Sequence, residues 1–211
     1  RESIRLRAPL HGPTRVNHRR RQRARHHESA EREHGGGRGP RIDHPLVPKG
    51  DHELLETPEA VRAFAEHARS MGVLAYDTEF IGEESFRPRI CLVQVATPER
   101  VALIDPVAGT DPAPVYEVVA DPAVRTLVHA GEQDIAAARD ACGGRVANVV
   151  DTQIACSLLG LPWPSSLGTM LEHFSGLRLG KAHTFTEWDR RPLTESQLQY
   201  AADDVRYLPM A

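Results

Sequence analysis

The chain has 211 residues, 40% of them hydrophobic and 26% charged, enough for one domain with a substantial core. No apolar run reaches the roughly 18 residues of a membrane helix, and no apolar segment follows the positive charges near residue 1 to make a secretory signal. Three scattered cysteines, with no C-x-x-C pair, argue against a disulfide framework or structural zinc and fit a reducing, cytoplasmic setting.

Charge divides the chain. Residues 1–45 carry 12 Arg against 5 acids, while the remainder is acidic enough to bring the total to −3. The first 46 residues are rich in Arg, His, Gly and Pro and lack periodic apolar positions. They are expected to be a disordered tail, either attracting phosphates or without a role, and residues 47–211 the folded domain.

Thr57-Pro58-Glu59, followed by Ala60, Val61, Phe64, Ala65 and Ala68, predicts a capped amphipathic helix that Met71-Gly72 ends. Val73 to Phe80 reads as a strand, Ile90 to Ala96 as a second and Val101 to Asp105 as a third, together an antiparallel meander. Then strands alternate with helices. Pro114–Ala120 is a short helix, Arg125–His129 a strand, Gly131–Ala141 a helix, Val146–Val150 a strand and Thr152–Leu159 a helix. Ser165–Phe174 and Thr194–Tyr207 are further helices, the last beginning at a Thr194-Glu195-Ser196-Gln197 capping box. The expected architecture is α/β, a mixed sheet of about five strands with helices on both faces.

Three acidic clusters stand out. Asp77 and Glu79 are i and i+2 on one strand, so both carboxylates project from one face. They repel unless a cation sits between them, or else they are solvated acids of an edge strand. Asp134 falls in the first turn of the helix after His129-Ala130-Gly131, at the carboxyl end of a parallel strand. His129 is expected to be packed and hydrogen-bonded rather than a ligand, Asp151 a helix N-cap, and Trp163 and Trp188 packing residues. Tyr200 and Asp204 are i and i+4 beside the apolar stripe of the last helix, and Asp203 points away from them.

In this order, with Leu92-Val93-Gln94-Val95, Asp151-Thr152-Gln153 and Trp188-Asp189-Arg190-Arg191-Pro192-Leu193-Thr194 around them, these clusters resemble the DEDDy 3′–5′ exonuclease superfamily, and within it the ribonuclease D group. The resemblance covers about Val47 to Leu208 and implies an RNase H-like fold. It implies that Asp77, Glu79, Asp134 and Asp204 bind two divalent cations, Mg²⁺ or Mn²⁺, and that Tyr200 orients or helps deprotonate the attacking water. The implied activity is hydrolysis from the single-stranded 3′ end of RNA, releasing nucleoside 5′-monophosphates, with no small-molecule cofactor and no membrane partner. DNA as substrate, or a catalytically weak nucleic-acid-binding scaffold, are the alternatives.

Phe80 is a candidate to stack on the terminal base, or else packs in the core. Lys181, His183, Arg190 and Arg191 are candidates for phosphate contacts, or else solvated surface charge. Members of the group often continue into a helical nucleic-acid-binding domain; this chain stops four residues beyond Tyr207 and is expected to be the catalytic part alone.

Overall fold

A computed structural model describes residues 47–48, 51–82, 88–179 and 187–210. The first helix, α1 (Pro58–Met71), starts where Thr57 accepts from Ala60 N–H and stops at Gly72, whose φ of 68° is the left-handed turn that glycine takes without strain. Its buried stripe, Val61, Phe64, Ala65 and Ala68, has the i, i+3, i+4, i+7 spacing of the sequence pattern.

The other elements follow the expected order. A short strand β1 (Glu53–Leu55) precedes α1, and β2 (Val73–Ile81), β3 (Arg89–Ala96) and β4 (Val101–Ile104) follow it. Next come α2 (Ala113–Val119), β5 (Arg125–Val128), α3 (Glu132–Ala141), β6 (Val149–Asp151) and α4 (Thr152–Leu158). Helices α5 (Leu167–Ser175) and α6 (Glu195–Arg206) and a closing 3₁₀ turn (Leu208–Met210) complete the described chain.

The six strands lie in the order β1-β4-β3-β2-β5-β6. The β2–β3 and β3–β4 pairs are antiparallel, the expected meander, whereas β5 and β6 add in parallel on the far side of β2. The strand beyond the expected five is β1, parallel to β4; three residues are too few to show a period-2 pattern. Strand β6 begins at Val149 rather than Val146, because Asn148 turns left-handed at φ 52°, and the register with β5 runs from Val149.

Alternation along β2 and β3 feeds two cores. Leu74, Tyr76, Val93 and Val95 pack with α1, α2 and α3. Ala75, Leu92 and Ala96 pack on the opposite face with α4, α5 and α6. Helices therefore cover both faces, as the pattern predicts. Trp188 is buried as expected, at 3% exposure, but Trp163 is 62% exposed and packs in neither core. It stands in the Pro-flanked loop between α4 and α5, outside either apolar stripe. Among the described residues no helix is long and apolar enough to cross a membrane.

Candidate active site

Strand lengths open the site. The last paired position between β2 and β5 is Ala75–Leu127, and β5 ends at Val128. Strand β2 continues to Ile81 with β3 alone beside it. Asp77 and Glu79 lie on this overhang, facing the α6 side like Ala75. Between Glu79 and Phe80 the register shifts, with Cys91 of β3 as the extra residue. Such a bulge adds local twist where side chains must be aimed.

Helix α6 brings the next two groups. Thr194 accepts from Gln197 N–H while the Gln197 side chain accepts from Thr194 N–H, which sets the start of the helix. Ala201, Ala202 and Val205 are fully buried against the sheet. Two alanines at this contact let the helix axis approach closely, so that Asp204 reaches the strand carboxylates. One oxygen each from Asp77, Glu79 and Asp204 lie within 4.8 Å of one another. Tyr200, one turn earlier, donates its hydroxyl to Asp204. Its ring lies 6.2 Å from that of buried Trp188, so Trp188 backs the tyrosine as well as filling the core. Asp203 faces elsewhere and bonds Gln199 (2.9 Å) and Arg206 (3.2 Å), in keeping with the helical spacing.

Asp134 approaches from the other face. It sits in the first turn of α3, buried at 6% exposure. Thr78, whose side chain alternates with Asp77 and Glu79, donates to Asp134 Oδ1, and Tyr76 Oη donates to the Asp134 main-chain oxygen at 3.4 Å. Asp134 is not among the three carboxylates that share the 4.8 Å cluster, but its charge acts on both Asp77 and Glu79.

The turn before α3 is clamped. Asp151 caps α4 through Gln153 N–H (2.8 Å) and also accepts from Ala130 N–H (3.0 Å) and Gly131 N–H (3.1 Å). The sequence reading finds the cap but not the clamp, because the second partner is 20 residues away. Ala130 has φ 58°, and a Cβ on Gly131 would fall 2.5 Å from Val128 Cβ, so this close turn requires glycine. His129 is held at Nδ1 by Thr152 Oγ1 (2.9 Å) and at Nε2 by the Ser165 carbonyl (3.0 Å), a packed histidine as expected. Its ring nevertheless lines a cavity of about 210 Å³ with Asp77, Tyr200 and Asp204.

Electrostatically the cluster is starved of positive charge. Burial, then the charges of Asp134, Asp204 and Glu79, push the Asp77 carboxyl far above the usual carboxylate range. Burial followed by Asp204 and Asp134 raises Glu79 to about 8. Burial raises Asp204 to about 7, although the Tyr200 hydrogen bond opposes it. Burial also raises Asp134, with the Thr78 bond opposing. Four oxygen-donor carboxylates that resist ionisation together suit hard divalent cations, which would supply the missing charge.

The expected phosphate-contact residues fare differently. Lys181 and His183 lie outside the described residues. Phe80 is half-buried at the end of β2. Arg190 is exposed and pairs with Glu187 at 2.9 Å. Arg191 is not a free surface cation: its guanidinium forms a two-pronged ion pair with buried Asp105 and also donates to the carbonyls of Cys91 (2.9 Å) and Trp188 (2.7 Å). A planar fork meeting a carboxylate and main-chain carbonyls ties the segment before α6 to β3 and β4.

A 3′–5′ exonuclease family model matches residues 53–209. Ribonuclease D of Escherichia coli (strain K12) is 35% identical over 158 residues, which are 75% of this chain and 42% of that protein. Ribonuclease D of Cronobacter turicensis is 38% identical over 155 residues, 74% of this chain and 42% of that one. The crystal structure of Escherichia coli RNase D, an exoribonuclease involved in structured RNA processing, matches with a TM-score of 0.69 at 34% identity, over 75% of this chain and 42% of that one. The shared fold is RNase H-like. The chain spans about two fifths of the length of these relatives.

Proposed function

The chain belongs to the 3′–5′ exonuclease family, and from that premise we propose that residues 47–211 form a metal-dependent 3′–5′ exoribonuclease domain. It would shorten RNA from a single-stranded 3′ end and release nucleoside 5′-monophosphates. The observation that carries this reading is the meeting of Asp77, Glu79 and Asp204, from segments some 125 positions apart, within 4.8 Å. Likeness to ribonuclease D supports RNA as the substrate.

Asp77, Glu79, Asp134 and Asp204 are the residues that would hold two Mg²⁺ or Mn²⁺ ions. When bound, such ions stabilise charge on phosphoryl oxygens and make a water nucleophilic near neutral pH. The chain's own groups do the remaining work. Tyr200, whose hydroxyl is pushed far above its ordinary value by burial and by the acids around it, keeps its proton and orients the attacking water. Phe80, beside Glu79, would stack on the terminal base, and Arg190 and Lys181 would meet the backbone. Cys91, Cys142 and Cys156 are free thiols, which supports a cytoplasmic setting.

The test is a 5′-labelled single-stranded RNA oligonucleotide incubated with the protein in Mg²⁺ or Mn²⁺, with EDTA and Asp77→Asn controls and a DNA strand in parallel. Stepwise shortening with 5′-monophosphate release is expected for RNA, and none in either control. Binding without shortening would instead identify a scaffold, and shortening of the DNA strand alone a deoxyribonuclease.

A further inference from the structure

Gln94 lies in the middle of β3 at 0% exposure. Neither its Nε2 nor its Oε1 has a hydrogen-bond partner. Buried amides are normally satisfied, so one unpaired at both ends calls for a function or a reward elsewhere. Its position supplies the candidate. Gln94 is directly opposite Asp77 across the antiparallel β2–β3 pair. Opposed residues project from the same face, and Leu92, Ala96 and Ala75, the alternate positions around them, belong to the core beneath α6. Cβ atoms of such a pair are about 4.5–5.5 Å apart. Two methylenes then carry the amide toward the Asp77 carboxylate, although no hydrogen bond joins the two here. On the other flank Gln94 faces Leu103 of β4, which offers no side-chain polar atom.

Resting on the metal-site reading above, we infer that Gln94 is a positioning residue for the Asp77 carboxylate, its Nε2–H fixing which Asp77 oxygens turn toward the bound cations. Groups that orient a metal-ligating carboxylate typically change metal affinity or activity 10–100-fold when removed. An amide donor is suited to this role, because it holds a carboxylate without binding the cation as another acid would or replacing its charge as a lysine would. Gln94 thus trades an unsatisfied position in the core for aim at the site.

Gln94→Met separates this from mere core filling. Methionine conserves the volume and removes both orphaned atoms, so the melting temperature in EDTA should equal or exceed that of the wild type. Titration calorimetry with MnCl₂, without RNA, should nevertheless show about 10–100-fold weaker binding. Turnover should fall at saturating RNA while KM for RNA stays unchanged. Wild-type Mn²⁺ affinity in a folded Gln94→Met protein would overturn the inference and leave the metal site standing. No Mn²⁺ binding by the wild type would overturn both. Should the variant not fold, the wild-type protein still decides. The Gln94 side-chain amide pair, assigned by through-bond NMR, should shift on addition of MgCl₂, and an unmoved resonance would refute the role.

Discussion

The pH dependence of stability in the metal-free protein offers a direct test of the acid cluster. Glu79 is raised from an ordinary 4.5 to about 8, and Asp204 from 3.8 to about 7. Between those limits the folded chain keeps protons that the unfolded chain has lost. Stability from these groups is therefore full below about pH 4 and is lost as pH climbs toward the folded values. Each such group costs about 1.4 kcal/mol per pH unit within its window. From pH 5.5 to 7.0, Glu79 alone accounts for about 2 kcal/mol and Asp204 for about 1.6 more. Asp77 and Asp134 act in the same direction. His129, held below its ordinary 6.5 by burial, acts in the opposite one and removes part of the drop. A net loss of at least about 2 kcal/mol is a large share of the 5–15 kcal/mol typical of a domain, and corresponds to a fall of at least about 4–8 °C in Tm. Differential scanning calorimetry in EDTA at constant ionic strength measures it. Saturating Mn²⁺ should abolish the fall, because metal binding strengthens as its ligands deprotonate, and Glu79→Gln should make it shallower. A Tm that holds level or rises from pH 5.5 to 7.0 in EDTA would refute the reasoning.

Gly131→Ala should cost about 1–3 kcal/mol, because its Cβ meets Val128 at 2.5 Å and the turn must shift. As the same turn delivers Asp134, turnover should fall more than tenfold, and Tm and single-turnover assays read the two effects. Tyr200→Phe keeps the contact with Trp188 but loses the hydroxyl that faces Asp204. Turnover should drop on the order of 10²-fold, less than for loss of a carboxylate, with Tm unchanged; turnover equal to wild type would remove the tyrosine from the chemistry. Arg191→Lys breaks the fork to Asp105 and should destabilise by about 2 kcal/mol. KM for RNA should be unaffected, and a raised KM at unchanged Tm would return Arg191 to the phosphate-binding surface.

Local features of this chain were readable without coordinates because their causes are local. Thr57, Gly72, Thr194 and Gln197 cap helices through partners within four residues. The i, i+2 spacing of Asp77 and Glu79 and the i, i+4 spacing of Tyr200 and Asp204 follow from strand and helix periods alone. Three-residue β1 gave no such pattern, and the loop holding Trp163 has no period by which to judge exposure.

By itself, then, the sequence determined the order of elements, their caps, and which acids share a face. The fold decided what those faces meet. Asp134 stands close enough for its charge to act on Asp77 and Glu79, and it is steadied by Thr78 from the opposite side of the strand. The occupation of Arg191 by Asp105, 86 positions away, and the placing of Gln94 across from Asp77 are facts of packing and register. Periodicity fixes the direction of a side chain relative to its own backbone, whereas strand lengths and pairing offsets are set by the whole sheet as it buries its two cores.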